Sequence, residues 1–227
     1  MLRQCAGAGY KGIELGPIGY MPEDPPVLAD ELAKNDLSII GGVVFRPFHD
    51  ASKWDEVLDA SKRTCEALVA HGAEHLVLID SISERRAPTA GRANEAEQMD
   101  TAEWTAFRDR IETIAKLGAE EYGLTVGMHA HAAGHIGRIS YMHFKDIDPV
   151  VKADVVANRT DFYKACGQGI FCNLGQGDVD FKAVRQVLLD AGFEGWCTVE
   201  QDCDPSLPGT PLEDAQANRE YLQSIGF

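Results

Sequence analysis

The chain has 227 residues, enough for one large domain with a substantial core. Hydrophobic residues make up 44% and charged residues 25%, which excludes a disordered or low-complexity chain. The formal net charge of -15 argues against nucleic acid or an anionic membrane as a partner, since both are held by clustered cations. A small-molecule site depends on local groups and stays open. No apolar run approaches a membrane span, and no signal-peptide core follows Met1-Leu2-Arg3-Gln4. The six cysteines (Cys5, Cys65, Cys166, Cys172, Cys197, Cys203) form no Cys-x-x-Cys pair. Reduced thiols in a cytoplasmic protein are the expectation.

In chain order, Leu2 to Ala8 reads as the end of a helix and Gly12 to Gly16 as a short strand. A short helix follows over Leu28 to Asn35, then a β-branched apolar strand over Leu37 to Phe45, bounded by Pro47. Trp54 to Ala70 has helical periodicity, with Val57, Leu58, Cys65, Leu68 and Val69 on one face and Gly72 at its end. His75 to Asp80 is the next buried strand. Thr101 to Tyr122 is a long amphipathic helix, opened by Thr101 as cap and stopped by Gly123. Leu124 to His131 and Ile139 to Lys145 read as strands, and Val151 to Cys166 as a helix. Phe181 to Ala191 is a helix capped by Asp180 and closed by Gly192. Trp196 to Glu200 is the last strand and Pro211 to Ile225 the last helix.

Near-continuous apolar strands alternating with amphipathic helices predict a parallel sheet covered on both faces. No Gly-x-Gly-x-x-Gly follows a strand, and there is neither a P-loop nor a Gly-x-Ser-x-Gly elbow. Ionisable residues instead gather at strand C-termini: Glu14, Arg46, Asp80, His129, His131, His143, Lys145, Glu200 and Asp202. In a (β/α)8 TIM barrel that is the catalytic face. Six strands are legible where a closed barrel needs eight. The connection from His131 to Ile139, Ala-Ala-Gly-His-Ile-Gly-Arg, is too short for a parallel crossover. A βα unit of roughly 30 residues, one eighth of a barrel of about 250, is expected to be missing near Ile136-Gly137. A first strand is likewise expected to be lacking ahead of Leu2.

Residues two apart on a strand point to one face, which groups His129 with His131, His143 with Lys145, and Glu200 with Asp202. Paired imidazoles share a metal or a substrate. A carboxylate at the last strand end is a hard-metal ligand. A lysine whose pKa is lowered by burial or a cation stabilises an enolate or donates a proton. Asp146 points to the other face, toward Lys145 or a backbone group. Glu14 reads either as a solvated rim carboxylate or as a hydroxyl-binding one. The glycines of Leu174-Gly175-Gln176-Gly177-Asp178-Val179-Asp180 allow close backbone approach.

Five runs in order resemble the xylose-isomerase-like sugar isomerase/epimerase superfamily: Gly9 to Pro17, Met128 to Gly134, Met142 to Asp146, Leu174 to Phe181 and Thr198 to Asp202. Within it the likeness is to the inosose (2-keto-myo-inositol) dehydratases. The resemblance implies a single TIM-barrel domain over residues 1–227, here lacking about two strands. It implies a divalent metal, Mn2+ or Co2+, held by His143, Glu200 and His129. His129 stands where many epimerases of the superfamily carry a glutamate. An Asp in an Asp-Thr-Gly-His-like run between the two histidine runs is also expected, and this chain has none. The implied reaction is dehydration of a keto-polyol in inositol catabolism. Lys145, His131 and Glu200 would act as catalytic groups, and Glu14, His129, Asp202 and Arg46 would bind substrate. The partner is a small polyol or keto-sugar, with no nucleic acid and no membrane; a homo-oligomer is left open. Keto-sugar isomerisation or epimerisation is the alternative chemistry, and a metal-free binding protein or inactive truncated barrel the alternative class.

Overall fold

The structure is a computed structural model that describes residues 1–82, 87–89, 95, 98–129, 141–190, 192–202, 204 and 209–227. The chain forms two compact units, Met1–Ala6 with Tyr10–Ile82 and Gln98–Gly137, and Gly7–Gly9 with Ser83–Glu97 and Arg138–Phe227.

The first unit is a parallel four-stranded sheet. Strands β1 (Gly12–Glu14), β2 (Ser38–Arg46), β3 (His75–Asp80) and β4 (Thr125–Met128) lie in sequence order, every pair parallel. The helices α1 (Leu2–Gly7), α2 (Pro25–Lys34), α3 (Trp54–Ala70) and α4 (Thr101–Lys116) precede or link them. Burial explains why the middle of β2 is apolar: Ile39 to Val44 are all buried, while Ser38 and Arg46 at its ends are not. Gly42 permits that packing, because a Cβ there would stand 3.0 Å from Leu68 and 3.2 Å from Leu15. The core joins Leu28, Leu32, Val44, Val57, Leu68, Leu76, Leu78, Phe107 and Ile114. Two helix signals differ from the sequence reading. The cap of α4 is Asp100, whose carboxylate accepts from the Ala102 and Glu103 amides while Glu103 reaches back to the Asp100 amide; Thr101 is already helical. The helix ends in a π turn over Leu117–Glu121, before Gly123 at φ +69°.

In the second unit β5 (Tyr141–Phe144) pairs in parallel with β8 (Trp196–Val199), and β6 (Asp146–Ile147) pairs antiparallel with β7 (Phe171–Cys172). Its core is Phe144, Leu174, Phe181, Leu188 and Leu222. Edge-to-face contacts of Phe144 with Phe181 and Phe227, at centroid distances of 5.3 and 5.0 Å, add to it. Helices α7 (Phe181–Asp190) and α8 (Pro211–Ser224) supply that packing face. The single helix expected over Val151 to Cys166 is two: α5 (Pro149–Ala157) and α6 (Phe162–Gly167). Arg159 at φ +54° breaks it, and Asp161 restarts it by accepting from the Lys164 amide.

The described strands make one sheet of four and two separate pairs, so eight-stranded closure is not completed among the described residues. His131, Ile139 and the connection at Ile136-Gly137 lie outside them. The five described cysteines are free thiols, and burial raises Cys65, Cys172 and Cys197 to about 11. No described helix is long and apolar enough to cross a membrane.

Candidate active site

The site in the second unit follows from strand register. His143 is opposite Thr198 and Phe144 opposite Val199, so the next step along both strands sets Lys145 beside Glu200. The Glu200 amide still donates to the Phe144 carbonyl at 2.9 Å, which holds that step in place. Phe144 turns into the core, so His143 and Lys145 share the opposite face.

Four side chains meet there. The His143 Nδ1 is 2.9 Å from Glu200 Oε2. The Lys145 ammonium donates to Glu200 Oε1 and to Asp202 Oδ2, both at 2.6 Å. It also sits 4.1 Å from the centre of the Phe171 ring, a cation–π arrangement. His143 is nearly buried, Lys145 and Glu200 are partly exposed, and Asp202 is half in solvent.

The hydrogen bond with His143 is the largest influence on the Glu200 carboxyl. Burial opposes it, the Lys145 hydrogen bond and charge reinforce it, and the pKa falls to about 2. Burial disfavours the Lys145 cation, but hydrogen bonds to Asp202 and Glu200, with their charges, outweigh it and raise its pKa. The sequence reading had a lysine of lowered pKa; two carboxylates reverse the direction.

Asp146, one residue after Lys145, is almost fully buried and serves the backbone. Its carboxylate accepts from the amides of Gly175, Gly177 and Val179 at 2.9, 3.0 and 3.1 Å, and from Ile147. This accounts for the glycines. A Cβ at Gly177 would overlap the Asp146 carboxylate, and one at Gly175, at φ +83°, would overlap the Tyr221 ring.

Sequence reasoning missed Phe171, on a two-residue strand too short to show a pattern. It also missed a chain of amides behind the site. Asn218 accepts from the Leu174 amide at 2.7 Å and donates to Gln201 at 2.8 Å, and Gln201 donates to Asn173 at 2.9 Å.

The other expected residues that are described lie in the first unit, at the ends of its strands; His131 lies outside the described residues. Glu14 is half-buried and opposite Gly41. Arg46 donates to its neighbour's carbonyl, Phe45 O, at 2.9 Å, and its Nε lies 3.9 Å from Glu56. The His129 amide donates to Leu78 O at 3.0 Å, just past β4. Asp80 accepts from both the amide and the ring of His49, at 3.1 and 2.8 Å.

The donors of the second unit suit a divalent cation. A ring nitrogen and a carboxylate oxygen 2.9 Å apart both reach an ion at ligand distances near 2.1 Å, and mixed imidazole–carboxylate sites hold zinc, manganese or cobalt.

Solved structures superpose over nearly the whole chain. The IOLI protein with a bound zinc atom matches 99% of this chain and 91% of its own at a TM-score of 0.70 and 16% identity. A xylose isomerase-like TIM barrel protein from Mycobacterium smegmatis, in complex with magnesium, matches 99% and 86% at 0.67 and 15%. The chain has the xylose isomerase-like TIM barrel fold. The family model of that description matches residues 132–225. The probable 3-DHS dehydratase AsbF from Bacillus anthracis shares the fold at a TM-score of 0.69 and 13% identity, over 98% of this chain and 92% of its own. Among curated proteins, an inosose dehydratase of Erwinia tasmaniensis is 27% identical over 98% of this chain and 88% of its own length. One of Geobacillus thermodenitrificans is 25% identical over 98% and 87%. The Erwinia alignment runs over 271 positions against 227 residues here, so at least 44 of them face gaps in this chain.

Proposed function

We propose that this chain is a hydro-lyase that dehydrates a keto-polyol, with 2-keto-myo-inositol as substrate and a cyclic diketone as product. The observation that carries the reading is the Lys145 ammonium held between Glu200 and Asp202, with His143 on the far Glu200 oxygen. The near full-length likeness to proteins named inosose dehydratase supports the substrate.

The site would hold a divalent ion, manganese or cobalt, through His143 and Glu200, with His129 as third ligand by its place in the Met128 to Gly134 motif. Bound there, the ion supplies Lewis-acid polarisation of the ketone and the adjacent hydroxyl. The Asp that the superfamily carries between the histidine runs has no counterpart, so this reading gives three protein ligands. The missing βα unit belongs, on the same reading, between His131 and Ile139.

The chain's own groups do the rest. A base removes the hydrogen α to the ketone, and the C–H pair becomes the enolate. With Oε2 given to the ion beside His143 and Oε1 accepting from Lys145, Glu200 would keep no free oxygen, which favours His131 as that base. Lys145, kept charged by the two acids, would place a fixed cation beside the enolate oxygen, and the histidine protonated in the first step would return that proton to the departing β-hydroxyl, which leaves as water. The resulting enol ketonises to the 1,2-diketone. Asp202, half in solvent, orients a ring hydroxyl, and Glu14 and Arg46 take others.

The test is incubation of the manganese- or cobalt-loaded protein with 2-keto-myo-inositol, following the diketone chromophore. Its appearance with loss of one water is the expected result. Solvent deuterium entering recovered substrate or an epimer, without loss of water, would replace dehydration by epimerisation. No reaction with either metal would overturn the reading.

A further inference from the structure

We infer that Asn218, on α8 and outside the reacting set, is the positioning residue that sets the two-carboxylate clamp on Lys145, acting through Gln201; the inference rests on the reading of this site as catalytic. Glu200 and Asp202 must present their carboxylates to one ammonium, each at 2.6 Å. The described strand pairing reaches Glu200 and goes no further: its amide bonds Phe144 O, while β8 itself ends at Val199. Past that point the ladder no longer fixes the backbone. Gln201, between the two acids, points to the other face of an extended chain. Its side chain takes over the anchoring, with Oε1 held by Asn218 at 2.8 Å and Nε2 held on Asn173 at 2.9 Å.

The direction of this amide chain is dictated from one end. The Leu174 amide is an N–H and can only donate, so Asn218 must turn Oδ1 to it. Asn218 Nδ2 then faces Gln201, which must present its oxygen, and its nitrogen is left for Asn173. Asn218 is 2% exposed, so water does not replace a lost partner and the polarity is locked. Leu174 also opens the segment whose amides Asp146 holds, and Asp146 adjoins Lys145. One buried asparagine thus ties the acids to the same loop that is clamped next to their cation.

The test compares wild type with Asn218→Leu, Gln201→Leu and the double variant. Manganese affinity is read by competition with a chromophoric chelator. Each single variant is expected to bind about 10- to 100-fold more weakly, the usual effect of groups that orient ligands. The double variant is expected to be no weaker than the weaker single one, because both act through one connection. Single-variant losses that multiply in the double variant, or unchanged affinity in folded variants, would overturn the inference. A side-chain 15N spectrum of the metal-free protein gives the second readout. A slowly exchanging Lys145 ammonium signal is expected in wild type and lost in both single variants; its persistence there counts against the clamp. Asn218→Asp covers the case in which Asn218→Leu does not fold. It accepts from Leu174 but cannot donate to Gln201, so the same losses are expected. The metal-free spectrum needs no substrate. A wild type that makes no diketone therefore overturns the proposed function alone, and a working enzyme with unaffected variants overturns the positioning role alone.

Discussion

Acids at the strand ends of the two units are used in opposite ways: compare Asp80 of the first with Glu200 and Asp202 of the second. In the first, Asp80 is consumed by its own fold: it accepts from the His49 amide and ring and so fixes the turn after β2, while Arg110 bonds the Phe48 and His49 carbonyls from α4. In the second, Glu200, Asp202, His143 and Lys145 find one another rather than the backbone. The lesson is that a polar residue at a strand end is not by itself a site. What separates the cases is the partner: a backbone N–H makes a carboxylate part of the scaffold, and a side-chain cation leaves it available to chemistry. Asp146 shows the rule inside the second unit, since its neighbour Lys145 goes to the site while it goes to four amides.

The sharpest way to break that contrast is Asp146→Ala. It leaves buried amides unsatisfied, and a loss of about 3 kcal/mol or more in urea unfolding is expected. A loss under about 1 kcal/mol would mean that the loop holds itself. Lys145→Met comes next: the far-ultraviolet spectrum should stay native while turnover of 2-keto-myo-inositol falls about 100-fold, the share of one acid/base or electrostatic group. Unchanged turnover would return Lys145 to the rim. The smallest effect is expected for Asp80→Ala, about 1–2 kcal/mol of stability from two lost hydrogen bonds at the edge of the first core. If Asp80→Ala cost as much as Asp146→Ala, the count of backbone amides would not be what ranks them.

Period-two alternation made the site partly readable in advance. It paired His143 with Lys145 and Glu200 with Asp202, and the structure finds Lys145 bonded to both acids. The direction of the Lys145 shift was not readable, because it depends on two acids 55 and 57 residues away. Phe171 and Asn218 were hidden for the same reason: nothing local marks a phenylalanine that will lie under a lysine. Among the elements, the long apolar strands and the glycine stops at Gly72, Gly123 and Gly192 were legible, since burial and positive φ select residue types strongly. The break between α5 and α6 was not, because the apolar spacing runs on through Arg159 and only Asp161 signals a new start. The expectation of a missing βα unit rests on a connection with no room for a helix, which lies outside the described residues; the Erwinia alignment gives only its total, 271 positions against 227 residues here.

Asp146 gathers the amides of Gly175, Gly177 and Val179 on one carboxylate. Gly175 and Gly177 share Oδ2 and Val179 takes Oδ1, so a single movement of the carboxylate releases all three. Their deuterium uptake should follow one opening event, with a common rate set by how often that carboxylate lets go. The loop beside the lysine thus keeps time with its anchor, and a bound substrate that slowed one of the three amides would slow all of them.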